Sequence, residues 1–251
     1  MVAFQTVFKR YELKYMLTAQ QKDTILKAMD PYMALDKYGR TTIRNIYFDT
    51  DDYRLVRRSI EKPAYKEKLR IRSYAQADEN STVFVELKKK HDGVVYKRRI
   101  ALSHQQALEW ICQGSACPVD TQISREIDYF IDFYGNPKPT VFLSYEREAY
   151  YERSGGNFRV TFDDHILFRQ TDLSLMSPVY GTPILHEGMV LMELKCSGGV
   201  PLWMAKILSQ EKIYKTSFSK YGTAYSTLIF PKIYLPSNIK NKENLTNGCN
   251  I

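Results

Sequence analysis

Alternation of apolar and polar positions predicts strands at residues 6–15, 41–50, 65–74, 81–90, 94–102, 140–150, 157–164 and 189–195. Between them the apolar spacing changes to that of helices. Thr18 caps a predicted helix that runs to about Met29 and is stopped by Asp30-Pro31. Ser103 with Gln106 has the form of a capping box opening a helix over 104–113. Further helices are predicted over 121–134, where Ile123, Ile127, Phe130, Ile131 and Tyr134 recur at helical spacing, and over 200–210 and 220–230. His91-Asp92-Gly93 predicts a hairpin turn, because Asp-Gly tolerates positive φ. The expected architecture is α+β, an eight-stranded antiparallel tunnel or barrel with flanking helices. One domain is expected over 1–235, followed by a polar tail over 236–251 that composition marks as disordered.

The polar positions of these strands are dominated by charge. Lys68, Arg70 and Arg72 share one strand face, against Leu69 and Ile71 on the other. Glu86 pairs in this sense with Lys88, Lys97 with Arg99, Tyr145 with Arg147, Arg159 with Asp163, and Glu193 with Lys195. Arg10, Glu12 and Lys14 extend the pattern to the first strand. A solvated outer face explains any one strand. Across all of them, the alternate faces are apolar enough to carry the helices, which turns the charged faces inward. A charged lumen is costly unless its charges are compensated, and a ligand with many negative charges would compensate cations. Arginine gives forked contacts to phosphate oxygens and lysine a point charge.

Composition narrows the classes. The chain has 251 residues, 44% hydrophobic and 25% charged, which excludes wholesale disorder and a collagen-like repeat. Thirty-six Lys+Arg against 28 Asp+Glu leave +8, the sign of a polyanionic partner. The four cysteines contain no C-x-x-C pair, so neither a disulfide framework nor a structural zinc site is expected. No apolar run approaches a membrane span and the N-terminus lacks a signal-like apolar region, so a cytoplasmic protein is expected. Nucleic-acid signatures are missing, and no nucleic acid is expected as partner. Trp110 and Trp203 fall at helical apolar positions and read as core.

The motifs RYELKY (10–15), YFDT (47–50), KLRIRSY (68–74), VFVELKKK (83–90), YKRR (96–99), YERE (145–148), RVTFDD (159–164), MELK (192–195) and FSKY (218–221) stand in the order seen in VTC domains. Over roughly residues 4–230 the chain resembles these polyphosphate polymerase domains of the CYTH-like triphosphate tunnel metalloenzyme superfamily. The resemblance implies transfer of the γ-phosphate of ATP to a growing polyphosphate chain, with Mn²⁺ or Mg²⁺. Phosphate-binding positions would be Lys14, Arg70, Arg72, Lys88, Lys97, Arg147 and Arg159, with Tyr145 assisting. Arg99 and Arg10 are added by strand period. Glu193 would bind metal, and Ser219 and Lys220 would reach in near the mouth. Arg70, Arg72, Arg147, Arg159 and Lys220 would carry catalysis. Tunnel triphosphatases of the superfamily begin with Glu-x-Glu-x-Lys, whereas this chain has Arg10-Tyr11-Glu12-Leu13-Lys14. Glu12 either meets metal through water or pairs with a tunnel Arg, and Glu86 has the same two options. The expected partners are ATP and inorganic polyphosphate, with a membrane protein as a further candidate. Two other readings stand beside this one: a tunnel triphosphatase, and a non-catalytic polyanion-binding module.

Overall fold

The computed structural model describes residues 11–92 and 94–234, with the side chain of Tyr234 excepted. Arg10 and the 236–251 tail lie outside the described residues. In chain order the elements are β1 (Tyr11–Thr18), α1 (Ala19–Met29), β2 (Met33–Asp49), α2 (Arg54–Ile60), β3 (Tyr65–Ser73), β4 (Thr82–His91), β5 (Val94–Ser103), α3 (His104–Gln113) and α4 (Gln122–Phe133). Then come β6 (Lys138–Glu152), β7 (Arg159–Arg169), β8 (Thr182–Pro183), β9 (Met189–Cys196), α5 (Leu202–Gln210), β10 (Lys215–Thr216), α6 (Lys220–Ala224), a π-helical turn (Tyr225–Ile229) and α7 (Phe230–Tyr234).

Local chemistry sets the boundaries. Thr18 and Ser103 each close a capping box, with Gln21 and Gln106, and so start α1 and α3 where the sequence predicts. Gly114 ends α3 at φ 76°, a left-handed cap that glycine adopts without a Cβ penalty. Asp92 takes φ 44° in the β4–β5 hairpin. Asp49 ends β2 as a fully buried carboxylate that accepts from the backbone N–H groups of Thr50, Leu55 and Val56 and from the Tyr221 hydroxyl. One side chain thus ties β2 to α2 and α6.

The strands form one antiparallel sheet in the order β10-β1-β9-β7-β6-β2-β3-β4-β5, with β8 beside β7. This corrects the expected count of eight: ten strands are present, two of them two-residue pieces that carry no periodicity to read. The sheet also stays open, since no pairing joins β5 to β1 among the described residues. It nevertheless curls far enough to bring β5 near β1 and to let Lys88 of β4 reach Glu12 of β1 at 2.7 Å. Closure rests on side chains where backbone pairing stops.

The helices cover the outside. Ala107, Trp110 and Ile111 of α3, with Ile127 and Phe130 of α4, pack on Leu69, Ile71, Val83, Val85 and Leu87. Ile25, Met29, Met204 and Leu208 of α1 and α5 pack on Leu17, Val160, Phe162, Met192 and Leu194. Trp110 is core as expected, while Trp203 is only partly buried and stacks on Tyr32 with ring centroids 4.6 Å apart. A third cluster lies on the inner face. Ile43, Tyr47, Val141, Leu143, Tyr145 and Leu191 meet Val56 of α2 and Tyr221, Ala224, Tyr225 and Ile229 of the C-terminal helices. The expected charged bore is therefore filled by apolar packing on its β2–β6–β9 side at one end.

Leu69 is fully buried between the inward Lys68 and Arg70. Leu69→Ala should lower unfolding free energy by about 2–5 kcal/mol in denaturant titration, the range for truncating a packed core leucine. A loss under about 1 kcal/mol would mean that α3 and α4 are not packed there as described.

Candidate phosphate site in the bore

The strand register sets the inner face. On β3, Lys66, Lys68, Arg70 and Arg72 alternate with the outward Leu69 and Ile71. Arg70 stands opposite Glu86 of β4, which stands opposite Arg99 of β5. Arg70 donates through Nε and Nη2 to Glu86 Oε2 at 2.9 and 2.7 Å, and through Nη1 to the Tyr47 hydroxyl at 2.8 Å. Lys97 reaches Glu86 Oε1 at 2.6 Å, and Arg72 Nε lies 3.8 Å from Oε2. Arg72 donates to Asn45 Oδ1 at 2.9 Å and to the Tyr145 hydroxyl at 3.0 Å. Burial pushes the Glu86 carboxyl up, but Arg72, Arg70 and Lys97 hold it well below the usual carboxylate range.

A second cluster forms across β1, β6, β7, β9 and α6. Arg147 forks onto Asp163 with both bonds at 2.6 Å. Lys220, capped into position by Ser219 at the start of α6, donates to Asp163 at 2.5 Å and lies 3.4 Å from Glu193. Glu193 also has Lys195 at 3.1 Å, Lys14 at 3.5 Å and Arg147 at 3.6 Å. Burial raises the Glu193 carboxyl, and Lys220, Lys195, Lys14 and Arg147 outweigh it, holding the group well below its ordinary range. Glu12 behaves alike: burial opposes and Lys88 prevails, bringing it to about 2. Tyr145 joins the clusters, with Lys220 Nζ 4.4 Å and Arg147 Cζ 5.0 Å from its ring centroid. Burial raises its hydroxyl, but Arg147, Arg72 and Lys220 bring it down to about 8.

The sequence-derived set is thus largely brought together. Lys14, Arg70, Arg72, Lys88, Lys97, Tyr145, Arg147, Glu193, Ser219 and Lys220 share one bore. Arg99 stands on the same face, its guanidinium 4.9 Å from the Phe84 ring centroid. Arg159 is the exception: it opens β7 as an exposed residue opposite Lys195, at the rim. A strand-period argument gives the face of a residue and not its depth, so Arg159 is read correctly in orientation and wrongly as a neighbour of Arg70 and Arg72. Of its two options Glu12 takes pairing, though its partner is Lys88 and not an arginine.

Other inner residues carry weight without having been singled out. Asp163 and Lys195 lie on faces recognised as charged, and their alternation was the signal. Asn45 and Tyr47 orient Arg72 and Arg70 but read in sequence as ordinary strand positions. Lys68 donates to Ser219 Oγ at 3.1 Å and has no carboxylate within ion-pair distance among the described residues. Burial lowers its ammonium to about 7, with Lys14, Lys66 and Lys88 pushing the same way.

A divalent ion is a further test of the site. No group of three or more His, Cys, Asp and Glu side chains among the described residues could hold a metal alone. Glu193 offers hard oxygens close to where the cations converge. One carboxylate, with four cations within 3.6 Å, fits a divalent ion only if substrate phosphates complete the shell.

The comparisons agree with this architecture. The model of the VTC domain matches residues 9–229. Among solved structures, a Bacillus halodurans protein provisionally assigned as an adenylate cyclase is 16% identical with a TM-score of 0.55, covering 86% of this chain and 96% of that one. HpAC1 from Hippeastrum, a provisional adenylyl cyclase described with a dominant triphosphatase activity, is 16% identical with a TM-score of 0.52, covering 88% of this chain and 96% of that one. At such identity the likeness is one of fold. No curated protein matches the chain. None of the described helices is long and apolar enough to cross a membrane.

Lys68 gives a pH test. Its amine is lowered to about 7, so without an anion it is largely neutral at pH ~8 and charged at pH ~6, and an arriving anion favours the charged form at both. Calorimetry in buffers of different ionisation enthalpy should show extra proton uptake on tripolyphosphate binding near pH ~8, and Lys68→Met should reduce it, leaving the share of Lys97, whose ammonium burial also lowers to about 7. Equal uptake in parent and variant would place the lysine away from bound phosphate.

Proposed function

This chain belongs to the VTC-domain family of the triphosphate tunnel metalloenzyme superfamily, and we propose that it is a polyphosphate polymerase moving the γ-phosphate of ATP onto a growing polyphosphate chain. The observation that carries the reading is the inner-face charge. Arginines and lysines from six strands and α6 converge on four acids, Glu12, Glu86, Asp163 and Glu193, and outnumber them. A phosphate chain supplies the missing negative charge without needing any other recognition.

The roles follow from position. Arg70, Arg72 and Arg147 hold the transferring phosphoryl group and its in-line neighbour, each kept in place by a carboxylate, amide or phenol partner. Lys220 adds charge from α6, and Tyr145 steadies Arg72 and hydrogen-bonds phosphate. Lys14, Lys88 and Lys97 guide the acceptor chain, Ser219 adds a hydroxyl, and Arg99 lines the same wall. Arg159 meets the chain at the rim. Glu193 would hold Mn²⁺ or Mg²⁺, whose charge offsets that on the phosphate oxygens.

Transfer to phosphate is favoured over transfer to water by the state of the acids. A general base works best with a pKa near the operating pH. Glu12 sits at about 2, and Glu86, Asp163 and Glu193 are all held below their ordinary values by the cations around them. They are poor acceptors for a proton from water. A terminal phosphate oxygen is already ionised and needs none removed. The triphosphatase reading draws on the activity described for HpAC1, a likeness in fold at 16% identity.

Purified protein with ATP and Mn²⁺ should form acid-labile polymer, resolved by size on a gel. Arg72→Ala should lower turnover by roughly 10²–10³, as for loss of one preorganised charge donor in a buried site. Glu193→Ala should lower turnover and weaken the dependence on metal. Free phosphate as the sole product would identify a hydrolase instead.

A further inference from the structure

The β3–β4–β5 wall carries a feature that its centre does not explain. Lysine stands directly opposite lysine twice across β3 and β4, as Lys66 with Lys90 and Lys68 with Lys88, and Lys88 in turn faces Lys97 of β5. Like charges directly opposite each other destabilise a sheet. On the outer face of the same strands the corresponding pair is Glu67 with Lys89, of opposite sign. One step along the inner face Arg70, Glu86 and Arg99 alternate in sign. The lysine stack is therefore local to one end of one face.

Lys88 and Lys97 have acids, Glu12 and Glu86. Lys66 and Lys68 have only neutral acceptors, the Ser59 carbonyl at 2.8 Å and Ser219 Oγ at 3.1 Å. Lys66, Lys68 and Lys90 enter no ion pair among the described residues. At this end the β2–β6–β9 side is filled by the apolar cluster under α2 and α6, leaving the lysines as the charged side of the bore. None of the three is needed to hold the arginines, whose partners are Glu86, Tyr47, Asn45, Tyr145 and Asp163.

We propose that Lys66 and Lys90, one inner-face step beyond Lys68 and Lys88, form a distal anion subsite that takes the phosphates of a polyphosphate chain extending past the arginine centre, beside the apolar plug. The inference rests on the reading of the bore as a phosphate site and adds to it a preference for chains longer than three phosphates. It also fixes a direction, with the long end of the polymer on the α2–α6 side.

The test compares tripolyphosphate with long-chain polyphosphate as probes over a series of salt concentrations. The parent should bind the long chain more tightly. The double variant Lys66→Gln/Lys90→Gln should keep tripolyphosphate affinity within about twofold, lose about fivefold or more for the long chain, and show a shallower salt dependence for it. Lys90→Gln alone, which breaks no side-chain hydrogen bond among the described residues, should move the same way if the double variant folds poorly. Lys89→Gln, on the same strand but facing outward onto Glu126, should leave both probes unchanged. Unchanged long-chain affinity in a folded variant, equal losses for both probes, or an equal effect of Lys89→Gln would overturn the subsite. A parent that binds neither probe would instead overturn the phosphate reading of the bore.

Discussion

The structure depends on how buried carboxylates are held by an excess of cations. Removing a charge from water costs several kcal/mol even after relaxation, and a partner recovers this only with good geometry and satisfied hydrogen bonds. Here Glu86, Asp163 and Glu193 each meet more than one cation, while Glu12 pairs with Lys88. Glu86 takes Arg70 and Lys97 with Arg72 beyond, and Asp163 takes the Arg147 fork and Lys220. Glu193 has four cations within 3.6 Å. The acids do not neutralise the bore. They act as fixed struts that keep arginine forks from collapsing toward solvent, so the guanidinium groups are preorganised before any anion enters. The cost is an unbalanced positive interior, which an entering polyanion relieves.

That arrangement also explains why the sheet can stay open. Backbone pairing stops between β5 and β1, yet Lys88 reaches across from β4 to Glu12 on β1. The two partners belong to faces that the alternation of each strand turns inward. The same ion pair that places a lysine in the bore therefore holds the curl of the sheet. The opposite support comes from Asp49 and Tyr221, which fix α2 and α6 against the end of β2 and carry Ser219 and Lys220 into the lumen. Function and closure use the same side chains here, and substitutions at Glu12 or Lys88 act on both.

Much of this was readable from periodicity alone. Thr18, Ser103 and the hairpin at Asp92 mark boundaries through local hydrogen bonding and backbone conformation, which depend on a few adjacent residues. The inward turn of Lys68, Arg70 and Arg72 follows from the apolar positions between them, because Leu69 and Ile71 must meet α3 and α4. Depth along the bore was not readable. Arg159 and Asp163 share a face on β7, but one is exposed at the rim and the other fully buried, and only the register with β6 and β9 separates them. The apolar plug was hidden for a related reason. Tyr225 and Ile229 show helical spacing whether they cover the outside of a sheet or fill its inside. The short β8 and β10 are made by pairing to neighbours and have no pattern of their own.

The first strand carries few acids for such a bore. A superfamily triphosphatase strand supplies two acids ahead of its lysine. Here the described part keeps Glu12 and Lys14, and Glu12 is bound to Lys88 and brought to about 2. Among the described residues Glu193 is left without a group of neighbouring acids able to enclose an ion. A metal in this setting would have to be shared with a bound anion. The same shortage of free carboxylate leaves water without a carboxylate base, since Glu12, Glu86, Asp163 and Glu193 are each held below their ordinary range. Cations in surplus and acids committed to cations form one consistent electrostatic design, a bore that holds its positive charge in fixed positions before an anion enters.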